Sequence, residues 1–247
     1  MKRTTLIGPL ILLFLWFIIT TLELVNPLFV PSIPSVLASF KDLFSGADVY
    51  VDLFSTLQRL VFGFAIGAIL GIMLGIPAGY SEELYNMLEF LIDFFRSIPV
   101  TALFPLFLLF FGIGDFAKIG IAAWSSSLIV LFNTIYGVRN SRKTRVLVAQ
   151  IMKATKFQLF YRVVLPDSLP QIFVGLRTSL SLALIVVIVT EMFLGTTTGI
   201  GQRIFNTSIT YRVPEMYASI LLAGILGYTL NKLFALLESR IVHWTGK

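Results

Sequence analysis

Cysteine is absent from the 247 residues, and histidine occurs once, as His243. The first absence removes disulfides, thiol nucleophiles and thiolate metal sites; the second leaves no basis for a histidine-rich metal cluster. Charge is scarce as well: Asp, Glu, Lys and Arg make up 13% of the chain, about half the share of a soluble domain. With 57% hydrophobic residues, 23 Phe and a mean hydropathy of +0.90, too little polar surface remains to cover a water-soluble globule. The composition reads as an all-α polytopic membrane protein. Ten Pro and 18 Gly do not signal disorder, because disorder requires low hydrophobicity. The net charge of +6 is the excess that membrane proteins carry in cytoplasmic loops, so no nucleic-acid partner is expected. No G-x-x-x-x-G-K-[ST] phosphate cradle occurs. Gly112-Ile-Gly114 and Gly199-Ile-Gly201 lack the strand context of a dinucleotide fingerprint, and no hydrolase or protease pattern is present. The chain reads as no enzyme by itself.

What is there is a series of uncharged runs, the first of them Leu6–Leu22. A helix needs about 20 apolar residues to cross the hydrocarbon core. On that measure the runs predict six spans, roughly 6–25, 53–79, 85–111, 116–138, 171–195 and 215–238, in one transmembrane domain covering 1–247 with its core at about 53–240. Lys2 and Arg3 precede the first run, but no A-x-A-like cleavage site follows it, so an uncleaved first helix is expected. Lys and Arg set the orientation. Eleven of them (Lys2, Arg3, Arg139, Arg142, Lys143, Arg145, Lys153, Lys156, Arg162, Arg240 and Lys247) fall on the side of the termini, and four (Lys41, Lys118, Arg203, Arg212) on the other. Both termini are therefore expected in the cytoplasm, with a short amphipathic helix near Val36–Phe44 outside. The long basic segment 139–170 lies inside, and Val146–Pro166 within it should form two short helices near the membrane surface. Ser168 and Gln171 have the spacing of a capping box opening the fifth span.

Three features inside the spans carry physical weight. Gly63, Gly67, Gly71, Gly75 and Gly79 lie four apart, on one helix face. A face without side chains lets a second helix approach closely. Pro77 within this ladder is expected to kink its inner end. Arg59, Asp93, Arg96, Arg177 and Glu191 lie inside or near the edges of spans. Each costs about 2.5–3.5 kcal/mol at a helix centre, so each must face protein or water. Arg59 and Glu191 fall at similar distances from the outer ends of their spans, as a structural ion pair or as part of a substrate path. Finally, Pro99 and Pro105 interrupt the third span. Freed carbonyls at membrane depth are tolerated where they are buried or line a cavity.

The stretch Phe157–Arg177 resembles the coupling loop of ABC importer permeases, the inner-membrane components of binding-protein-dependent transport systems. Val163-Val-Leu-Pro166 matches the end of that loop. Its acidic and first alanine positions fall on Leu147 and Val148, Ala149 keeps the second alanine, and Lys153 stands where the family has a turn glycine. With Lys there, one continuous bent helix is expected in place of a tight turn. Other segments are similar to the nitrate/sulfonate/taurine-type subgroup: Ser55-Thr-Leu-Gln-Arg59 with the glycine ladder, Arg96-Ser-Ile-Pro99, Pro105-Leu with Phe111-Gly-Ile-Gly114, Gly175-Leu-Arg177, and Glu191-Met-Phe-Leu-Gly195 with Gly199-Ile-Gly201.

The resemblance covers about residues 30–240. It implies a type I ABC importer permease (MetI-like) fold in a bacterial inner membrane, with short coupling helices between spans four and five. It also implies two permease copies, identical or paralogous, with ABC ATPase subunits holding ATP and Mg below and an extracytoplasmic solute-binding protein above. The coupling positions would be Leu147, Val148, Ala149, Lys153, Phe157, Phe160, Val163, Leu165 and Pro166. Arg59, Asp93, Arg96, Pro99, Arg177 and Glu191 would be the path or its buried charges. The implied cargo is a small anion such as nitrate, a sulfonate, taurine or bicarbonate. Alternatives are a vitamin or vitamin precursor in the same class, an ion-coupled secondary transporter, and a membrane scaffold. Membrane lipid would be the remaining partner, and the chain itself would hold no cofactor or metal.

Overall fold

The computed structural model describes residues 7–141 and 143–245, and among these there are helices and no strand. Lys2, Arg3, Arg142 and Lys247, four of the charges in the orientation count, lie outside the described residues. α1 (Ile7–Thr21) is apolar and buries none of its side chains. Trp16 ties it to the rest of the chain: its Nε1 donates to Pro31 O at 3.1 Å and its ring lies 6.0 Å from that of Tyr217. α2 (Ile33–Leu43) is the expected amphipathic helix, begun three residues earlier. Ser32 accepts from the Ser35 N–H to cap it, and Pro34 sits in the first turn, where no N–H donor is needed.

α3 (Asp48–Tyr80) has 33 residues, about 50 Å at 1.5 Å per residue. It starts five residues before the expected span and continues through Pro77. Ser81 alone separates it from α4 (Glu82–Ser97); its extended backbone ends one helix while its Oγ caps Leu84 N of the next. After Ile98 and Pro99 comes one 3-10 turn, Val100–Leu103, and then α5 (Phe104–Phe111). The two limbs are bent by 91°. The cause is local: Pro99 disfavours helical backbone at Ile98, which is extended at φ −79°, ψ 121°. Pro105 breaks nothing, contrary to the expectation, because it occupies the first turn of α5.

α6 (Asp115–Arg139) packs along α3 through two ladders in register. A Cβ added at Gly63, Gly67, Gly71, Gly75 or Gly79 would stand 2.6–2.7 Å from the Cβ of Ala122, Ser126, Val130, Thr134 or Val138 respectively. Both rows step by four and rise together, so α3 and α6 run parallel. The bent pair between them must therefore return from one end of the bundle to the other, which makes it a broken span and not a re-entrant loop. α7 (Lys143–Ile151) and α8 (Lys156–Leu159) follow, and a π turn, Phe160–Val164, joins α8 to α9 (Leu165–Phe193). α9 is antiparallel to α6: Gly137 faces Gln171 and Ser168, and Gly175 faces Asn133. α10 (Ile200–Ile209) and α11 (Val213–Ile241) complete the chain, with a last 3-10 turn at His243–Thr245.

Among the described residues four helices pass the length and apolarity needed to cross a membrane, and the bent pair makes five. The first of the six expected spans, 6–25, corresponds to α1, whose 15 described residues fall short of a full crossing. The fifth span also begins far earlier than expected, since helix runs from Lys156 to Phe193 without interruption. Ser168 and Gln171 are consequently not a cap. Ser168 Oγ donates to Leu165 O, and Gln171 Nε2 to Asn133 Oδ1 at 2.8 Å. The capping box belongs to Thr155 and Gln158, at the start of α8.

Candidate functional site

Among the described residues, polar and exposed side chains converge at two places, one at each end of the bundle. The first lies where α3, α6 and α9 meet the loop before α10. Asp52, Thr56 and Arg59 sit at i, i+4 and i+7 of α3 and so share a face. Arg59 is 4% exposed and spends its guanidinium on five hydrogen bonds. Nη1 donates to Glu191 Oε1 at 2.6 Å and to Thr198 O at 2.8 Å; Nε donates to Asp115 Oδ1 at 2.8 Å; Nη2 reaches the Thr196 and Thr198 hydroxyls.

Glu191, wholly buried, also accepts from Thr56 Oγ1 at 2.9 Å and from Gly201 N at 2.9 Å. The start of α10 explains the arrangement. Its first N–H groups have no partner inside the helix. Here Gly199 N donates to Asp52 Oδ1 at 2.7 Å, Ile200 N to Thr56 Oγ1 at 2.9 Å and Gly201 N to Glu191. Two carboxylates at the positive end of a helix are also electrostatically favoured. The glycines are required: Gly199 has φ +130°, and a Cβ there would strike the Glu191 carboxylate, while one on Gly201 would strike Ile188 O.

Asp52 closes the outer side of this knot by pairing with Arg203 at 2.6 Å. Lys118 enters from α6. It is buried, with Nζ donating to Gly114 O at 3.1 Å and Gly195 O at 3.2 Å. In the sequence Lys118 counts only as a charge on the side away from the termini, Thr56 stands within the Ser55–Arg59 motif, and neither Asp52 nor Asp115 is singled out. The i, i+4, i+7 spacing of Asp52, Thr56 and Arg59 was the available signal. The segment 196–214, between the fifth and sixth expected spans, holds α10.

The second place is the end carrying α7 and α8. Between them Lys153 takes the left-handed backbone at φ +58°, and Ala154 N donates to Ala149 O at 3.0 Å. The turn the family makes with glycine is thus made by lysine, and the continuous bent helix expected from Lys153 does not form. Leu147, Val148, Ile151, Met152, Phe157 and Tyr161 are exposed around this turn, with Ile151 at 80% and Phe157 at 74%. Phe157 and Tyr161 stack with centroids 6.0 Å apart. Phe160 turns inward onto Tyr80, 5.6 Å away. Ala149 is buried, and Val163, Leu165 and Pro166 are half-buried. Arg145 pairs with Asp167. A cavity of about 640 Å³ lies between α7, the start of α9 and Trp244.

The remaining charges are not brought to the knot. Asp93 and Arg96 pair loosely with each other at 3.7 Å, and Arg96 also lies 4.1 Å above the Phe132 ring. Arg177 faces Glu238 of α11 at 4.0 Å. Pro99 holds the bend between α4 and α5. Among the described residues no group of Asp, Glu or His has the arrangement of a metal site.

Comparison with known proteins agrees with this architecture. A family model described as binding-protein-dependent transport system inner membrane component matches residues 67–245. The taurine transport system permease protein TauC of Escherichia coli (strain K12) is 28% identical, over 100% of this chain and 92% of its own length. The nitrate import permease protein NrtB of Synechocystis sp. is 29% identical, over 78% of this chain and 70% of its own. Among solved structures, an inward-facing form of the MetNI methionine ABC transporter shares the fold, with a TM-score of 0.61 over 81% of this chain and 95% of the other at 22% identity. The chain belongs to the binding-protein-dependent transport system inner membrane components, the permease subunits of ABC importers.

Proposed function

We propose that this permease carries a small anion of the sulfonate or nitrate class across the inner membrane, handed over by a solute-binding protein and driven by separate ATPase subunits. The chain lacks a nucleotide cradle, so ATP and Mg belong to those subunits, and the permease domain spans the whole chain without a cofactor of its own. Both termini lie in the cytoplasm. Two copies, or this chain and a paralogue, enclose the path. Relatives named for taurine and nitrate support the cargo class.

The observation that carries the reading is the α7–α8 knuckle. Six large apolar side chains stand exposed there around one left-handed turn. In water such a patch marks a binding surface. The knuckle also leads without a break into the 38-residue helix that ends at Phe193, just past Glu191 and the outer knot. A push on α8 is therefore a push on α9, which is what coupling ATP closure to a membrane path requires. Co-purification tests it. The wild-type chain retains an ATPase subunit through gel filtration, and loss of that subunit from Phe157→Ala supports the docking role. Full retention and coupled transport in Phe157→Ala overturn it.

A further inference from the structure

Arg59 has no donor to offer a passing solute: its five hydrogen bonds go to the knot at 2.6–3.4 Å. Arg96 and Arg177 differ. Each is about half exposed, at 43% and 48%, and each has only a loose carboxylate beside it, at 3.7 and 4.0 Å. Their positions in depth follow from the packing. Arg96 of α4 lies over Phe132 of α6. Asn133, the next residue, accepts from Gln171 of α9 and faces Gly175, two residues before Arg177. The two arginines therefore sit within about one helical turn of each other in depth. Arg177 is also 16 residues, about 24 Å, from the end of α9 at Phe193, on the α7–α8 side of the middle of a hydrocarbon core about 30 Å thick.

The surface between them carries a polar seam within a largely apolar strip. On either side of the Asn133–Gln171 seam, Phe132 and Tyr136 of α6 and Val174 and Thr178 of α9 are exposed. One turn on, Ser181 of α9 donates to Asn231 of α11 at 3.0 Å. Hydroxyls, amides and two half-exposed guanidinium groups do not face hydrocarbon. Asp93 and Glu238 lie on the side of these arginines nearer the α7–α8 end. Asp93 precedes Arg96 by three residues on a helix running away from that end, and Glu238 follows Asn231 by seven on a helix running toward it. A solute coming from the knot end meets the cations first and the carboxylates after.

We propose that this seam of α4, α6, α9 and α11 is the wall of the translocation path and that Arg96 and Arg177 are its anion-selecting residues, suited to a small oxyanion such as a sulfonate. The proposal rests on the permease reading above and deepens it. The second N–H of the Asn133 amide and of the Gln171 amide is left to donate to a solute's oxygens, and the carboxylates behind the arginines favour release.

The absence of cysteine gives a direct test. Thr178→Cys is introduced in the full chain, co-expressed with its ATPase and placed in lipid nanodiscs. It is reacted with a sulfonate-bearing and with a trimethylammonium-bearing methanethiosulfonate reagent, both without nucleotide and with trapped ATP. Expected is modification in at least one state, faster with the sulfonate reagent. The rate ratio should fall by about 10-fold when Arg96→Gln and Arg177→Gln are added. Val174→Cys on the same strip gives the same reading if Thr178→Cys folds poorly. An unmodified thiol in both states, or a ratio that ignores the arginines, overturns the proposal. ATPase retention is scored on the same samples, so failure of the permease reading shows as a lost ATPase and is distinct from failure of the seam.

Discussion

The guanidinium of Arg59 and the carboxylate of Glu191 meet at 2.6 Å although 132 residues separate them, and the meeting fixes α3 against α9 at the end of the bundle that carries α10. Removing one partner leaves the other charge buried, at a cost of about 3–5 kcal/mol. Arg59→Ala and Glu191→Ala are each expected to reduce folded yield sharply. The double variant should recover part of the loss and not all, because Arg59 also holds Asp115 and Thr198 while Glu191 caps α10. Thermal melts of purified protein read the cycle; strictly additive losses contradict the pairing.

Gly71 tests the ladder. A Cβ there meets Val130 Cβ at 2.7 Å and Ser127 O at 2.8 Å, so even alanine forces the helices apart. Gly71→Ala should cost about 1–3 kcal/mol and Gly71→Leu more. Gly224 of α11, with nothing within 4 Å, is the control, and Gly224→Ala should be silent. Equal melting temperatures for the two alanine variants run against the α3–α6 contact.

Lys153 pays for a left-handed backbone that glycine adopts freely, a difference of about 1–2 kcal/mol in the folded state. Lys153→Gly should therefore raise stability slightly, the gain reduced by the freer unfolded chain. Lys153→Val should lower it. Hydrogen exchange at Ala154, whose N–H bonds Ala149 O, localises the effect to the turn.

The knuckle predicts a ranking. Phe157, exposed and stacked on Tyr161, should act as an anchor, and Phe157→Ala should release the ATPase. Phe160→Ala should instead loosen α8 from Tyr80, lowering stability before docking. Lys156→Ala should slow association in a salt-dependent way and leave the complex intact. Retention through gel filtration at two salt concentrations separates the three. A docking loss in Lys156→Ala greater than in Phe157→Ala points to lipid headgroups in place of a protein.

Topology is open to labelling. Ser45→Cys should react with an impermeant maleimide from outside intact cells, and Ser141→Cys only after lysis. The reverse pattern would invert the chain in the membrane.

Much of the fold is legible in one dimension. Apolar run length marks the spans, because the bilayer demands a fixed length of hydrocarbon-compatible helix whatever its neighbours. The glycine ladder announces a close helix contact, because five missing side chains on one face have no other economical use in lipid. What the run lengths miss is where helix ends when the chain leaves the membrane. The helix that contains α9 begins at Lys156 because the Thr155–Gln158 capping box satisfies its first N–H groups there, a local signal that run length does not record.

The candidate sites divide the same way. Sequence alone marked Arg59 and Glu191 as charges in need of partners, and segment 139–170 as a basic, apolar surface. Only the tertiary structure decided that Arg59 is fully occupied while Arg96 and Arg177 are not. That difference depends on Asp115, Thr196 and Thr198 arriving from other elements, and no spacing along the chain records which donors are used up. Likewise Lys153 is an ordinary lysine in the sequence. Its left-handed backbone is set by the α7 and α8 ends that it must join, so the turn residue was chosen by the packing around it.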